Sequence, residues 1–400
     1  MTAITEEKKT RPSKRIFIST GEVSGDWHGA NLIKALYREA EARGIDLEVV
    51  GLGGDRMAQT PARLLGNTTG IGSIGAFEAL PYVIPTLWLQ YHAKRQLQKC
   101  PPDVVVLIDY MMPNQEMGWF AKQKLGVPVV YYIAPQEWVW RMNDQNTQAI
   151  KSFTDRLFAI FPAEAEYYQQ AGVPVEWVGH PFLESLRQVP DRATVRQQLG
   201  IALDATVITL LPASRTQELK SVAPILCHAA QLLQKEIPHL QFWLPLSRPQ
   251  YRPALQKILD RYGVQANISE MPSQWLIRCA DLVLSKSGTA NLETAILDVP
   301  QVVCYRIHPI TALLAKYIMR LDIPFACPAN LVLMRPLVPE FLQDQATGEN
   351  MARSALELLT NPAARCQMWA GYGEIRQKLT VDGQVGAIER VAKGIFDLLS

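Results

Sequence analysis

The chain has 400 residues, 48% of them hydrophobic and 20% charged, which provides apolar material for two domains of about 200 residues each. A formal net charge of only +2 excludes the strongly basic balance of many nucleic-acid-binding proteins, so no nucleic-acid partner is expected. The six cysteines form no Cys-x-x-Cys pair. This dispersal predicts reduced thiols in a cytoplasmic protein, without disulfides or a zinc site.

Two segments bear on targeting to a membrane. Residues 1–14 are rich in charge and lack the apolar run of about 7–15 residues that a signal peptide requires, so we predict a disordered tail. The stretch 70–91 has Glu78 as its only charge, but Pro81 and Pro85 interrupt it. It therefore falls short of a membrane-spanning helix.

Short apolar runs alternate with helical spacing along the whole chain. The first run ends at a glycine-rich loop, Gly21-Glu-Val-Ser-Gly-Asp26, after which residues 30–42 show helical periodicity. Strands that alternate with helices indicate parallel, doubly wound sheets in an α/β protein. The predicted strands are 15–20, 47–52, 104–108 and 127–133, followed by a second series at 207–211, 241–245, 281–284 and 301–305.

The two series predict two Rossmann-like domains, 15–185 and 186–375, joined at a polar stretch near residue 188. Open α/β sheets bind ligands beyond the carboxyl ends of their strands, so we expect the domains to face a cleft. The end of the chain, 376–400, has the apolar periodicity of a helix and is predicted to pack back on the first domain.

The loop after strand 207–211 is a candidate diphosphate site. It reads Leu211-Pro-Ala-Ser-Arg215, in which Ser214 and the forked guanidinium of Arg215 could bind phosphate oxygens. The alternative is that Arg215 forms an ordinary surface ion pair.

The loop after strand 281–284 has similar properties. Ser287, Gly288 and Thr289 are small residues that let backbone N–H groups approach a phosphate at a helix start. The serine or threonine could instead be a plain N-cap. Glu293 lies one helical turn beyond Thr289, where its carboxylate could accept hydrogen bonds from a ribose diol.

Taken together, several motifs resemble those of the lipid-A-disaccharide synthase family, in matching order from about residue 15 to 342. They are Gly21-Glu-Val-Ser-Gly-Asp26, Pro102-Asp-Val-Val-Val-Leu-Ile-Asp109 with Asn114, Tyr132-Ile-Ala-Pro-Gln-Glu-Trp-Val-Trp140, Val178-Gly-His180, Leu211-Pro-Ala-Ser-Arg215, Ser287-Gly-Thr-Ala-Asn-Leu-Glu293 and Val303-Cys-Tyr-Arg306. The resemblance departs at Ala213, where the family usually has glycine, and at Lys286, where many relatives have a small residue.

The resemblance implies a GT-B fold and an inverting transfer from UDP-2,3-diacylglucosamine to 2,3-diacylglucosamine 1-phosphate, which yields a β-1′,6 disaccharide and UDP. It places Arg306 with the donor loops and implies no cofactor or metal. The sequence agrees on the metal, because no Asp-x-Asp occurs and the histidines lack ligand spacing.

An inverting transfer needs a base, and Asp109, at the end of a central strand, matches the family's proposed base. Asp109 could instead cap the next helix or bond loop amides. His180 and Asp26 are lesser candidates for the base. By resemblance, Gly21, Ser24, Gly25, Asp26 and Asn114 belong to the acceptor side, although Asp26 is expected to act chiefly as a helix cap.

Apolar side chains next to these loops suggest a lipid substrate. The segment Glu137-Trp-Val-Trp140-Arg141 is either a core cluster or a border of the cleft. A second set is either an inward helix face or a surface for acyl chains at a membrane edge. It comprises Ile74, Phe77, Leu80, Val83, Ile84, Leu87 and Trp88. We therefore expect peripheral contact with the cytoplasmic face of the inner membrane, and the apolar surface also suggests a homo-oligomer.

Three other functions compete with this interpretation. A UDP-N-acetylglucosamine epimerase or a peptidoglycan-type transferase could use the same donor loops, because these do not identify the acceptor. The segment Leu107-Ile-Asp-Tyr-Met-Met-Pro113 mimics a response-regulator receiver, but the first strand lacks the acidic pair that would bind magnesium. A catalytically silent scaffold would not need the base, both donor loops and the apolar stretch together.

Overall fold

The computed structural model describes residues 11–69, 82–139, 144–212, 216–306, 325–383 and 385–399. The chain folds into two units, which we call unit 1 (Met1–Pro181 with Val381–Ser400) and unit 2 (Phe182–Thr380). Each is built on a parallel β-sheet with helices between consecutive strands. This confirms the predicted α/β class with two Rossmann-like domains.

The sheet of unit 1 has the strand order β3-β2-β1-β4-β5-β6-β7, and every pairing is parallel. The strands β1 and β4 are neighbours whose successors, β2 and β5, lie on opposite sides. The carboxyl ends of β1 and β4 therefore form the topological switch point. The strands are β1 Ser13–Ser19, β2 Asp46–Gly53, β3 Arg63–Asn67, β4 Val104–Ile108, β5 Val129–Tyr132, β6 Arg156–Ala159 and β7 Val175–Trp177.

The helices of this unit cover both faces of the sheet, where they bury Phe17, Leu107 and Tyr131 on one face and Ile16, Val106 and Tyr132 on the other. They are α1 Val23–Arg43, α2 Asp55–Ala58, α3 Val83–Lys99, α4 Met111–Phe120 with a π-helical turn Ala121–Leu125, α5 Asp144–Phe153 and α6 Pro162–Gln170.

Unit 2 repeats this topology, with the strand order β10-β9-β8-β11-β12-β13 and a switch point between β8 and β11. Its strands are β8 Val207–Leu211, β9 Gln241–Pro245, β10 Ala266–Ser269, β11 Leu282–Lys286, β12 Gln301–Tyr305 and β13 Glu340–Leu342. Its helices are α7 Phe182–Ser185, α8 Arg192–Leu199, α9 Thr216–Ser221, α10 Ala223–Glu236, α11 Arg252–Tyr262, α12 Ser273–Cys279, α13 Ala290–Ile296, α14 Pro328–Leu333, α15 Gly348–Thr360 and α16 Pro362–Leu379, with 3-10 turns at Leu186–Gln188, Pro249–Tyr251 and Gln343–Gln345.

The last helix, α17 Ala387–Asp397, returns to unit 1 and packs along α1. Val391, Ile395 and Phe396 are buried in the same core cluster as β1 and β4. At the rim of this contact, Arg43 binds Asp397 at 2.8 Å. The chain end thus completes the core of the unit that its first half builds.

The structure corrects three boundaries predicted from sequence. Residues 13 and 14, assigned to the tail, already belong to β1. The division between units falls after Pro181, not near residue 186, because α7 packs against α13 of unit 2. The second division follows Thr380, since α16 continues to Leu379 beyond the predicted end of the domain at 375.

A fourth correction concerns the glycine-rich loop. Helix α1 begins at Val23, not near residue 30, so most of Gly21–Asp26 is the helix's first turn. A Cβ atom on Gly25 would collide with Thr20, and one on Gly29 would lie 2.6 Å from the sulfur of Met57. These glycines therefore serve close packing of a helix. Across the described ranges, no helix has the length and apolar character needed to cross a membrane.

Candidate active site

The backbone is strained where β4 and β5 end. Asp109 and Tyr110, which follow β4, have φ values of 48° and 60°, and Ile133, which follows β5, has 62°. Left-handed backbone is costly for residues other than glycine, and most of all for a β-branched one. Such strain concentrates at functional sites, and here it lies beside the switch point of unit 1.

Asn114 holds this strained turn in place from within the core. Its Nδ2 donates to the carbonyl oxygens of Asp109 (2.6 Å), Ile108 (3.1 Å) and Ser19 (3.2 Å), and its Oδ1 accepts the Ser19 hydroxyl at 2.7 Å. The side chain is fully buried. Asn114, which the sequence assigned to the acceptor side, thus ties the ends of β1 and β4 together.

The carboxylate of Asp109 takes part in the hydrogen bonding of this turn. Its Oδ1 accepts the Tyr110 N–H at 2.9 Å, and the residue is partly exposed. The Tyr131 hydroxyl donates to the Asp109 carbonyl at 3.2 Å and steadies the turn from β5. The alternative role as a binder of loop amides is therefore present.

Asp26 is a helix cap, although not of its own helix. It is buried, and its carboxylate accepts three backbone N–H groups, from Gly54 (2.7 Å), Arg56 (3.0 Å) and Met57 (3.0 Å), at the start of α2. Ser24, in the first turn of α1, is partly exposed. Asp26 thus fixes the loop after β2 against α1.

Tyr110 joins the Asp109 turn to an exposed apolar helix. A Cβ atom on Gly21 would collide with the Tyr110 ring, so glycine is needed there. Burial raises the pKa of Tyr110, and a hydrogen bond with Thr86 of α3 opposes this rise. Asp109 is therefore one residue away from a direct contact with α3.

The first half of α3 carries a group of exposed apolar side chains, which we call the α3 apolar surface. Its members are Val83, Ile84, Leu87, Trp88 and Tyr91, which are 45% to 79% exposed. The buried side of the helix instead carries Leu89, Ala93 and Leu97. An inward-facing role for residues 83, 84, 87 and 88 is therefore wrong, while Ile74, Phe77 and Leu80 lie outside the described residues.

The loops after β5 and β6 are anchored by buried acids. Glu164 accepts N–H groups from Ala134 (2.9 Å), Ile160 (2.9 Å) and Phe161 (3.3 Å). Burial raises its pKa to about 7, although these three bonds act in the opposite direction. Glu137 is also buried, which raises its pKa, and it accepts the Asn146 side chain at 3.0 Å. Both acids fix loops at the carboxyl edge of the sheet.

The aromatic segment after β5 packs into the unit. The Trp138 ring lies 5.7 Å from the Phe161 ring, which lies 5.1 Å from the His180 ring. Trp140 and Arg141 lie outside the described residues. Burial, and then the charge of His28, lower the pKa of His180 well below its usual value. This makes His180 a poor base.

Unit 1 is expected to lose stability in acid because of His28 and His180. Burial lowers the pKa of His28 from 6.5 to about 3, so the folded chain stays neutral where the unfolded chain takes up a proton. Stability present above pH 6.5 is therefore lost as the pH falls toward 3, by up to about 1.4 kcal/mol per pH unit for each such histidine. Thermal unfolding between pH 7 and 5 measures this loss. His28→Gln should make stability depend less steeply on pH, whereas the control His92→Gln, at an exposed position, should not. An unchanged pH dependence in His28→Gln would contradict the role of His28 in the acid sensitivity.

The second candidate site is the loop after β11. Asn291 is buried and closes this loop, because its Oδ1 accepts the Gly288 N–H at 2.8 Å and its Nδ2 donates to Ser285 Oγ at 2.7 Å. The Ser287 hydroxyl donates to the Ala326 carbonyl at 2.5 Å, so it is no N-cap. Thr289 occupies the N-cap position of α13 with an exposed side chain that makes no capping bond.

Two acidic side chains flank this loop. Glu293, in the first turn of α13, is buried and accepts the Gln274 side chain from α12 at 2.8 Å. On the other side, Lys286 Nζ lies 2.8 Å from Glu218 Oε1 of α9. Sequence reasoning noted the lysine but not its partner, because nothing in the pattern of α9 marks Glu218.

Arg306 follows β12 and lines a separate cavity of about 350 Å³ in unit 2. Lys220, His228 and Glu349 also line it, with the His228 ring stacked 5.9 Å from the Tyr262 ring. Residues 287, 288, 289 and 293 do not line it, and Ser214 and Arg215 lie outside the described residues. In the part of the chain that is described, no group of three or more His, Cys, Asp or Glu could hold a metal ion.

Comparison with known sequences identifies close relatives. Residues 16–381 match the family model described as lipid-A-disaccharide synthetase. A lipid-A-disaccharide synthase of Gloeothece citriformis is 48% identical over 384 residues, which cover 96% of this chain and 99% of that protein. The lipid-A-disaccharide synthase of a Synechocystis species is 45% identical over 386 residues, covering 96% and 97%.

Comparison with solved structures supports the fold. Staphylococcus aureus MnaA in complex with UDP has a TM-score of 0.63 and 17% identity, with 96% of this chain and 97% of that chain covered. The UDP-GlcNAc 2-epimerase of Neisseria meningitidis bound to UDP-GlcNAc has a TM-score of 0.61 and 14% identity, covering 96% and 100%. Identities this low establish a shared architecture only.

Proposed function

The chain belongs to the lipid-A-disaccharide synthase family of UDP-sugar glycosyltransferases, and we propose that it joins UDP-2,3-diacylglucosamine to 2,3-diacylglucosamine 1-phosphate. The products would be the β-1′,6 disaccharide 1-phosphate and UDP. The observation that carries this proposal is the strained, internally braced Asp109 turn beside the α3 apolar surface. A base and a lipid-compatible surface are what an acylated sugar acceptor requires.

In the proposed reaction, Asp109 takes the proton of the attacking acceptor hydroxyl. The hydroxyl oxygen forms a bond to the anomeric carbon of the donor sugar, while the bond from that carbon to the diphosphate breaks and its electron pair leaves with UDP. Attack from the face opposite the leaving group inverts the anomeric carbon. The partial exposure of residue Asp109 is compatible with this role.

Unit 2 is proposed to bind the donor. The loop Ser287–Thr289 would hold the diphosphate together with Ser214 and Arg215, and Glu293 would accept hydrogen bonds from the ribose. The exposed Thr289 side chain and the position of Glu293 one turn further along α13 support this arrangement. Arg306 would contact the donor from the neighbouring strand end. Two solved structures of similar fold are described as bound to UDP and to UDP-GlcNAc, which also supports it.

Unit 1 is proposed to bind the acceptor at a membrane. The α3 apolar surface would accept acyl chains at the cytoplasmic face of the inner membrane, since its five members are exposed on one helix. The same surface could support a homo-oligomer. Flotation with phospholipid vesicles and sedimentation of the full chain separate these two uses.

UDP release tests the proposed function. The purified full chain would be given UDP-2,3-diacylglucosamine in detergent micelles, with and without 2,3-diacylglucosamine 1-phosphate. Release that depends on the acceptor, with a disaccharide product, is the expected result. UDP binding without acceptor-dependent release would remove the named acceptor. Epimerisation of UDP-GlcNAc with no disaccharide product would favour the epimerase alternative.

A further inference from the structure

A shielded ion pair lies at the switch point of the sheet in unit 2. Lys286 is the last residue of β11, and Glu218 lies in α9, which follows β8. Their charged atoms Nζ and Oε1 are 2.8 Å apart, and the two side chains are only 17% and 10% exposed. The pair therefore sits largely out of water. Desolvation of the two charges there costs free energy that offsets their attraction.

The topology makes this position favourable for a ligand. Strands β8 and β11 are neighbours, with Leu211 opposite Ser285, while β9 and β12 lie on opposite sides of them. Ligands of open α/β sheets bind beyond the carboxyl ends of the strands at such a point. Lys286 directly follows Ser285, which pairs with Leu211. It therefore lies at the switch point of this sheet.

The ammonium also lies against the loop that follows β11. Its Nζ is 3.5 Å from the Ser287 carbonyl oxygen. A Cβ atom on Gly288 would come within 3.2 Å of Nζ, and Gly288 has a φ of +155°. The lysine head group thus fills the space that a side chain on Gly288 would need, and glycine lets the two approach.

Stability alone does not account for the pair. A buried ion pair is commonly replaceable by apolar residues of similar volume without loss of stability, because desolvation offsets its attraction. An ammonium has three N–H donors, so Lys286 can bind Glu218 and still donate to another oxygen. A phosphate oxygen at the loop is a partner that this geometry fits.

We propose that Lys286 binds the β-phosphate of the UDP-sugar donor and that Glu218 holds its ammonium against the 287–289 loop. The proposal rests on the proposed function. Glu293, assigned to the ribose, lies beyond the other end of the loop, so the lysine faces the phosphate farther from the nucleoside. When the sugar–oxygen bond breaks, UDP gains negative charge, which the ammonium stabilises.

Calorimetric titration of the full chain with UDP and with UMP tests this role. Lys286→Met should weaken UDP binding by about 10- to 100-fold, because a charge-assisted hydrogen bond is lost. The affinity for UMP, which lacks the β-phosphate, should change by less than about threefold. Lys286→Arg should restore most of the preference for UDP. Lys257→Met, which removes an exposed charge from α11, is the matched control.

Glu218→Gln separates phosphate binding from a purely structural role. Glu218→Gln should keep the preference for UDP over UMP, since the ammonium remains. If the ion pair were purely structural, Lys286→Met and Glu218→Gln would each lose affinity for UDP and for UMP to the same extent. If Lys286→Met does not fold, the double variant Lys286→Met/Glu218→Gln removes both charges together and should still lose the preference. An unchanged ratio of UDP affinity to UMP affinity in Lys286→Met, or in the double variant, would overturn the inference. A wild-type chain that binds no UDP would overturn the donor assignment itself.

Discussion

Asp109→Asn is expected to lower kcat by roughly 10²- to 10⁴-fold, the usual contribution of a positioned general base. The amide has the same shape as the carboxylate, and its oxygen can still accept the Tyr110 N–H that Oδ1 accepts at 2.9 Å. The strained turn should therefore persist while the proton acceptor is lost. Initial rates of acceptor-dependent UDP release, with UDP affinity measured in parallel, give the result.

The variant separates catalysis from folding if its thermal midpoint and UDP affinity match those of the wild type. Asp55→Asn is a suitable control, because Asp55 is an exposed aspartate in the same unit that accepts the Asn67 side chain. A kcat within a few-fold of wild type in Asp109→Asn would assign the proton transfer to another group.

Asn114→Ala is expected to destabilise unit 1 by about 3 kcal/mol and to reduce kcat by up to about 10²-fold. The change removes the donors to Ser19, Ile108 and Asp109 and the acceptor of the Ser19 hydroxyl, all at a buried site. Without them the left-handed turn loses its main restraint, and the Asp109 carboxylate loses its fixed position. Chemical denaturation and steady-state kinetics measure the two effects.

Asn31→Ala provides the comparison for Asn114→Ala. Asn31 also lies in unit 1, but its side chain donates a local hydrogen bond of 2.9 Å to the Trp27 carbonyl within α1. It should change stability by about 0.5 kcal/mol or less and leave kcat unchanged. A stable Asn114→Ala protein with normal kinetics would show that the Asp109 turn holds its shape without this brace.

The sequence was informative for most strands that lie inside a sheet and not at its edge. The limits of β4, β8, β9 and β12 agree with the predicted runs. Most strands that were missed are edge strands, which are covered by fewer neighbours and do not need a continuous apolar run. The missed strands are β3, β7, β10 and β13 at the edges, with β6 next to β7.

The sites were only partly predictable for a related reason. A candidate residue at a strand end, such as Asp109, can be found from the local pattern. The partners that hold site residues in place come from distant parts of the chain, as Ser19 does for Asn114 and Glu218 for Lys286. Gly25 looked like a loop residue, although its lack of a side chain serves the packing of α1, as that of Gly29 also does.

The return of α17 to unit 1 has a consequence for biosynthesis. Unit 2 is one continuous segment, whereas the core of unit 1 includes Val391, Ile395 and Phe396 from the end of the chain. Translation delivers these residues only after those of unit 2. Unit 1 therefore begins to be synthesised first but can close its core only after unit 2 has been made. During that interval the face of α1 that α17 covers stays exposed, and transiently exposed apolar surface of this kind is prone to aggregation.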